Sequence, residues 1–524
     1  MNNKKAKYAL GIDAGTTGCR TLIFDLKGNT VGEAYEANPL KFPKPGWLEL
    51  NPQYIIENCY ASTKRAIKES GVDPEEIGSV SFTFMRSSFV LRKHDGSFVR
   101  DIVMWQDLRC QEMFPWMKDQ IAKNGMTEDE FYELSGFPLC ATTWPSAKIY
   151  WVKKNEPELY EAADVIHSIH ALVMNAYGAD GFIDDKEDIG WWGIINGTTF
   201  EYEKKLADMF EVDIDKYAKN ERSGKVVGEV TKEVAKKTGL AIGTPLVVGC
   251  GDHQCAAIGL GNNHEGMVSL AMGTCGLLVA HSHVPPRDPN SSCQVLGTPM
   301  DGEWEIEAHS NAAASSFRWL RDAIMQTEME VQKQTGIDVY DLMTAQAAKA
   351  KPGCDGLIYL PWNAGANCPH YDPSARGAFI GFTFAHGKPE IIRSVMEGVL
   401  YDIKDMYFNL LQAGLPEFKV MRLTGGAARS DLWCQMTADV LGIAVETVES
   451  EEATALGAAM IGATGAGIFD SLQDAIDNMV HVKKRFEPNP ENVEIYKKLY
   501  EIFTDSYNAL KTDVFPKISK YQGY

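Results

Sequence analysis

No Gly-x-x-x-x-Gly-Lys-Ser/Thr occurs anywhere in the 524 residues, which excludes a P-loop as the means of holding phosphate. No Gly-x-Gly-x-x-Gly follows a strand to open a Rossmann unit. The 11 cysteines include no Cys-x-x-Cys, the closest two being Cys250 and Cys255. An odd number so widely scattered argues against a disulfide framework and gives no support to a zinc site. Positive charge is scarce: 51 Lys and Arg against 71 Asp and Glu leave a formal charge of −20. That balance excludes a general nucleic-acid binder, although a few local amides and cations can still hold a small anion. No apolar run approaches the ~18 residues of a membrane span; the longest candidate, 455–469, is shorter and rich in Gly and Ala. The start, MNNKKAKYALGIDAG, has a basic patch but no apolar core of signal-peptide length. A cytoplasmic protein with its native N-terminus and no membrane partner is expected.

What is present is a repetition. GIDAGTTGCR (11–20) and SLAMGTCGLL (269–278) both read as strand, Gly-Thr-containing turn, strand. Superposed, Gly15-Thr16-Thr17-Gly18 meets Gly273-Thr274-Cys275-Gly276, and Asp13 meets Ala271, so only one copy keeps an acid. The length calls for two or three domains. The pattern restarts near residue 256, which predicts two α/β halves of related design, 1–255 and 256–524. Residues 8–37 read as a three-stranded meander with a hairpin turn at Lys27-Gly28-Asn29. IGSVSFTFM, from Ile77, reads as a buried strand leading to Arg86, and GTPLVVGCGDH as a buried strand running straight into Asp252. ADGFIDD, 179–185, reads as a break between helices. A helix beginning near His386 carries the apolar stripe Ile392, Val395, Met396, Val399, Leu400 and Ile403.

Three places can carry chemistry. In the first hairpin, glycines let backbone N–H groups converge on a phosphate and threonine hydroxyls add donors. Asp13 beside such a nest repels phosphate unless a cation lies between them, and hydrated Mg²⁺ is the obvious mediator; an Asx-type turn is the plain alternative. Asp252, at the mouth of a strand, can take a proton from a hydroxyl that attacks phosphorus; its plain alternative is a helix N-cap. LTGGAARSDLW, 423–433, is a Gly turn before a helix, open to a flat ring or a phosphate, or simply a strand-to-helix connection.

Taken in order, GIDAGTTGCR, PKPGWLELNP, VMWQDLR, WPSAKIYWVKKN, GCGDHQCAAIGLG, MGTCG, GAFIGFTFAHGKPEIIRSVMEG and LTGGAARSDLWCQMTADVLG resemble the FGGY family of carbohydrate kinases over nearly the whole chain. The resemblance implies a two-domain ribonuclease-H-like (actin-like ATPase) fold with an interdomain catalytic cleft, and ATP with Mg²⁺. It implies Asp13 on the metal side, and Thr16, Thr17 and Arg20 at the transferred phosphate. Thr274 is implied for the nucleotide phosphates, Gly425, Gly426 and Ser430 for the adenine site, and Asp252 as general base. Ala314 and Arg318 match further nucleotide-side positions where glycerol kinases typically carry Gly and Gln, so Arg318 faces either nucleotide or solvent. On the substrate side the resemblance implies Arg86, Trp105, Asp107, Asp252 and His253. There the family pattern departs: Ser87 follows Arg86 where glycerol kinases have Glu, Phe84-Met85-Arg86 stands where xylulose kinases have Gln-Met-His, and His253 replaces the usual Gln or Asn. Trp191 and Trp192 either approach the sugar or belong to the core. The expected substrate is a small sugar or polyol, first a ketose such as xylulose, with glycerol or an autoinducer-2-type sugar as alternatives. A chaperone-like ATPase and a silent sugar sensor are the readings from other classes. A homodimer stays open.

Overall fold

The computed structural model describes residues 6–139, 144–300 and 302–523. Two large sheets organise it. The first is built from β1 (Tyr8–Ala14), β2 (Gly18–Asp25), β3 (Thr30–Ala37), β4 (Ile77–Phe84), β5 (Val226–Glu229) and β6 (Pro245–Gly251), in the order β5-β6-β4-β1-β2-β3. The meander β1-β2-β3 is antiparallel, while β4 runs parallel to β1 and β6 parallel to β4. The second sheet holds β7 (Met267–Met272), β8 (Gly276–Ser282), β9 (Gln294–Gly297), β10 (Trp304–Ser310), β11 (Val420–Gly425), β12 (Ala444–Val448) and β13 (Val482–Phe486), in the order β9-β10-β8-β7-β11-β12-β13. Again a meander, β7-β8-β10, lies beside two parallel strands, β11 and β12. The duplication visible in the two hairpins therefore extends to five strands in each sheet.

The alternation of buried and exposed residues explains the layers. Strands β1 and β4 are buried almost throughout, as parallel strands covered on both faces must be. On one face lies the helix α1 (Pro52–Ser70), capped by Asn51, whose side chain accepts from the Gln53 N–H. The stripe predicted on the long helix Lys388–Gln412 is fully buried in the core of the second sheet, with Ile392 through Ile403 no more than 1% exposed at the six stripe positions.

The two halves are joined by helices rather than by a simple hinge. Helix α2 (Asp252–Gly259) starts directly from β6 and lays Ala257 against Leu277 and Val279 of the second sheet. Helix α3 (Ala453–Gly465) follows β12, yet its Ala455, Ala459 and Met460 pack with Ala9, Leu22 and Phe24 of the first sheet. The two helices meet backbone to backbone. A Cβ on Gly457 would lie 1.9 Å from the Cys255 carbonyl oxygen, and one on Gly259 only 1.8 Å from that of Ala453. This close crossing explains the run of small residues in α3. Among the described residues no helix is long and apolar enough to cross a membrane.

A smaller sheet, ordered Glu49–Leu50, Ile102–Val103, Phe89–Arg92, Val165–Ser168, extends the first half and carries an aromatic core with Trp144, Trp191 and Trp192. The segment 179–185, expected as a break between helices, does interrupt them after the helix Ile169–Tyr177. Ile183–Asp185 is a short strand, and Asp184, Asp185, Glu187 and Asp188 are all at least 95% buried. Burying four acids within five residues is costly, and backbone and hydroxyl donors around them offset part of that cost. Asp184 accepts from the N–H and hydroxyl of Ser168, and Asp185 from the Asp188 N–H at 2.7 Å.

Candidate active site

The first hairpin closes with the pair Ala14 and Cys19 and a 3.1 Å bond from the Gly15 N–H to the Gly18 carbonyl. Asn38, which no motif marked, holds it from behind by donating to the Gly15 carbonyl at 3.0 Å. The Trp105 indole donates to Thr16 Oγ1 at 2.9 Å, tying the smaller sheet to this turn. Thr17 is exposed at the tip, its carbonyl accepting from the Tyr35 hydroxyl at 2.9 Å. Arg20 pairs with Glu452 at the start of α3 and lies 3.3 Å from Glu33. Its side chain is about a third exposed, so the pairs steer it more than they stabilise the fold. The Asp13 carboxyl is pushed up to about 7, first by burial, then by the carboxylates of Asp252 and Glu452, with Arg20 opposing. Asp13 and Asp252 thus share one region of space.

The second hairpin repeats this frame without the acid. Met272 pairs with Gly276, and the Gly273 N–H bonds the Cys275 carbonyl at 3.1 Å. Thr274 and Cys275 are exposed. The helix Ala314–Ile324 starts against this turn: the Ala314 N–H donates to the Gly273 carbonyl at 3.0 Å and the Ser315 N–H to that of Thr274 at 3.2 Å. Arg318, for which solvent was one expectation, donates to Thr274 Oγ1 at 3.0 Å. Gly425 ends β11 with φ of 87°, and a Cβ there would meet the Met272 carbonyl oxygen at 2.5 Å; Gly426 faces open space. Ser430 caps the helix Asp431–Leu441, accepting from the Trp433 N–H at 3.3 Å. Its hydroxyl already serves the helix.

Asp252 is the first residue of α2 but not its cap, a position held by Gly251. Its Oδ1 forms an ion pair with Arg86 Nε at 3.2 Å and accepts from the His253 N–H at 2.9 Å. Arg86 is the centre of this region. It lies over the Trp191 ring at 4.8 Å, with Asp188 Oδ1 and Gln254 Oε1 each 3.4 Å from Nη1. Both its η-nitrogens bond Glu307 of β10, at 2.8 and 2.9 Å, and Nη2 also touches His253 Nδ1. Burial opposes the guanidinium charge, but Glu307 and then Asp188 raise its pKa. Burial likewise acts to raise Glu307, yet Arg86 and then His253 hold its carboxyl well below the usual range. Two residues away Glu305, buried and with both oxygens lacking a hydrogen-bond partner, is raised by burial and by Glu307. Burial also raises Asp188.

Glu307, His309 and Asp188 were missed by motif reading. Their signal is in the alternation of WEIEAHS, which puts Glu305, Glu307 and His309 on one face of β10 where an apolar row would be ordinary. His253, Glu307 and His309 bring ligand atoms within 4.8 Å of one another. The positive charge there is already supplied by Arg86, which occupies both Glu307 oxygens.

Asp107 departs from expectation. It is fully buried, its Oδ1 taken by the Arg109 N–H and Nε, its Oδ2 by Arg109 Nη2 at 2.8 Å and the Leu48 N–H at 2.6 Å. A carboxylate so fully bonded inside the protein has little left for a sugar hydroxyl. Arg109 in turn stacks on Trp47 at 3.9 Å and bonds Glu49 at 2.7 Å, which explains the PGWLEL segment. Lys148 donates to the Trp105 carbonyl at 2.7 Å, and burial pushes its ammonium down to about 8. Trp192 packs edge-on to Tyr217 at 5.2 Å in the core, and Trp191 floors Arg86.

The sequence pattern of the FGGY family of carbohydrate kinases matches this chain twice, its N-terminal domain over residues 8–259 and its C-terminal domain over 268–466. The chain belongs to the FGGY family of carbohydrate kinases. As a member it is an enzyme, a kinase with ATP as phosphoryl donor, of two-domain actin-like ATPase fold. The gluconokinase of Bacillus licheniformis is 27% identical over 98% of both chains. The xylulose kinase of Bacillus subtilis is 26% identical, over 96% of this chain and 97% of that one. A crystal structure of ligand-bound xylulose kinase from Lactobacillus acidophilus superposes with a TM-score of 0.88 at 23% identity, covering 98% of this chain and 99% of that one.

Proposed function

We propose that this kinase transfers a phosphoryl group from ATP to a hydroxyl of a small ketose, with xylulose the first choice and glycerol or another polyol the nearest alternative. The observation that carries this reading is Asp252, presented at the mouth of β6, oriented by Arg86 Nε and within electrostatic reach of Asp13. A carboxylate there can accept the proton of an attacking hydroxyl. Arg86 holds it in place through the Nε ion pair, and His253 and Asp188 offer further polar contacts to neighbouring hydroxyls. Phosphoryl transfer asks mainly for positioning and charge neutralisation. Backbone N–H groups of the two hairpins, with the hydroxyls of Thr16, Thr17 and Thr274, can supply much of this. Arg20 reaches a phosphate by giving up Glu452. Arg318 extends the Thr274 side, Ala314 brings the start of its helix to the same turn, and the open face of Gly425 and Gly426 suits a flat base.

The donor chemistry on the metal side fits Mg²⁺: hard carboxylate oxygens, with the Asp13 carboxyl raised first by burial and then by the neighbouring carboxylates of Asp252 and Glu452, charge that a cation would offset. Asp13 would hold the ion, directly or through water, with Asp252 and Glu452 nearby, and the ion would neutralise charge between carboxylate and phosphate. Asp13 itself orients that charge at the end of β1. We place the halves at 1–255 and 256–524, closing on one another to exclude water from the transfer. We assign the reaction to the cytoplasm, where ATP is available as donor.

The test is coupled ADP release across D-xylulose, other ketoses, xylitol, glycerol and gluconate. Release that depends on one of the hydroxyl compounds is expected. ATP turnover that none of them enhances would favour a chaperone-like ATPase, and sugar binding without turnover a sensor.

A further inference from the structure

Arg86 is the guanidinium at the general base, and the names of the relatives divide over what such a group would be for. Gluconate is a sugar acid, whose carboxylate would seek the two-pronged edge of an arginine. Xylulose is uncharged. In this chain that edge is already taken. The Nη1 and Nη2 atoms form paired bonds of 2.8 and 2.9 Å to Oε1 and Oε2 of Glu307, the arrangement a substrate carboxylate would make. Nε faces Asp252 Oδ1 in an ion pair at 3.2 Å, and the outer sides of Nη1 and Nη2 face Asp188, Gln254 and His253. The side chains of Arg86 and Glu307 are 5% and 0% exposed, so neither can swing into water without leaving a buried charge alone, which is strongly unfavourable.

We propose that Glu307 is a specificity-determining residue: by occupying the bidentate edge of Arg86 it restricts the pocket to uncharged hydroxyl compounds and rejects sugar acids. An aldonate carboxylate arriving here meets Asp252, Asp188 and Glu307 before it meets a cation with an unused donor pair. Neutral hydroxyls meet no such conflict, since carboxylates accept from them. His253 and His309 also reach Glu307 Oε2, each at 3.2 Å, adding to the contacts that hold the carboxylate. The role falls to the second half of the chain, acting on a sugar pocket that the family resemblance assigns to the first.

This inference rests on the kinase reading above, and the experiment separates the two. Specificity constants are measured for matched pairs, xylitol against xylonate and glucitol against gluconate, alongside D-xylulose, for the wild type and for Glu307→Gln. Calorimetric binding of the same pairs to the wild type is measured in parallel. The best neutral compound is expected to exceed the best acid by about 100-fold or more in kcat/KM, the scale of rejection that an uncompensated buried polar mismatch gives. Glu307→Gln keeps an acceptor but releases one prong, and is expected to shift the acid-to-neutral ratio towards the acid by roughly tenfold. A wild type that uses or binds an aldonate as well as its neutral partner would overturn the proposal. So would a folded Glu307→Gln with an unchanged ratio. If the variant does not fold, the wild-type binding order decides. Absence of turnover with every compound would overturn the kinase reading, while the binding order still decides on Glu307.

Discussion

The two Gly-Thr hairpins have the same frame and opposite electrostatics. In the first, Asp13 stands one residue before the closing pair, and Asp252 and Glu452 add negative charge around it. In the second, Ala271 stands at the matching position, a helix start lies against the turn, and Arg318 reaches Thr274. Duplicated backbone turns therefore give two cradles, and side chains make them unequal. One wall collects carboxylates, which suits a proton acceptor and a hydrated cation. The other avoids them, which suits a polyanion. The contrast continues at the next strand mouths: β6 runs into an acid and β11 into bare glycine.

The severest way to break this division is to remove the base. Asp252→Asn is expected to lower turnover by more than ~100-fold, the usual scale for a general base, while nucleotide affinity, read by calorimetry, stays within about twofold, since the second wall is untouched. Near-wild-type phosphorylation by this variant would take Asp252 out of the role.

A milder way is to make the hairpins alike. Ala271→Asp places a carboxylate before the second turn. Unlike Asp13 it would have no metal to share, so it should weaken ATP binding about tenfold, equivalent to ~1.4 kcal/mol. The KM for sugar should not move. An unchanged ATP KM with an intact fold would show that the asymmetry of the hairpins is incidental.

Local pattern carried much of the fold. The meander β1-β2-β3, the buried strands β4 and β6 and the stripe of the long helix all follow from periodicity within about twenty residues of chain. The site was legible where one turn holds several of its parts, as at Asp13 and Thr16 or Gly425 and Gly426. It was not legible where partners lie far apart. Arg86 and Glu307 are 221 residues from each other, and nothing local in WEIEAHS says which arginine answers its acids. Asp107 shows the reverse. Its motif context suggested substrate, but Arg109, two positions on, takes its oxygens. A charged residue close in sequence to an opposite charge can fold back on that neighbour, as Asp107 does on Arg109. The burial of the acids 184–188 was likewise not legible, since donors such as Ser168 come from another element.

The smallest expected effect sharpens the account of the acidic wall through pH. Burial raises the Asp188 carboxyl, with Arg86 opposing and Asp252 and Glu307 adding to the rise. A carboxyl whose pKa is higher folded than unfolded binds more protons in the native state between the two values. Stability then falls as pH climbs from the ordinary carboxylate range through the raised value. Asp188→Asn has no such proton to lose, and Arg86 keeps Glu307 and Asp252 as partners. The melting temperature of the variant minus that of the wild type should therefore increase from pH 5 to pH 8, by on the order of 2 °C for a chain of this size. A difference that shrinks over that interval would mean Arg86 outweighs burial at Asp188, and that the wall is better compensated than its crowd of carboxylates implies.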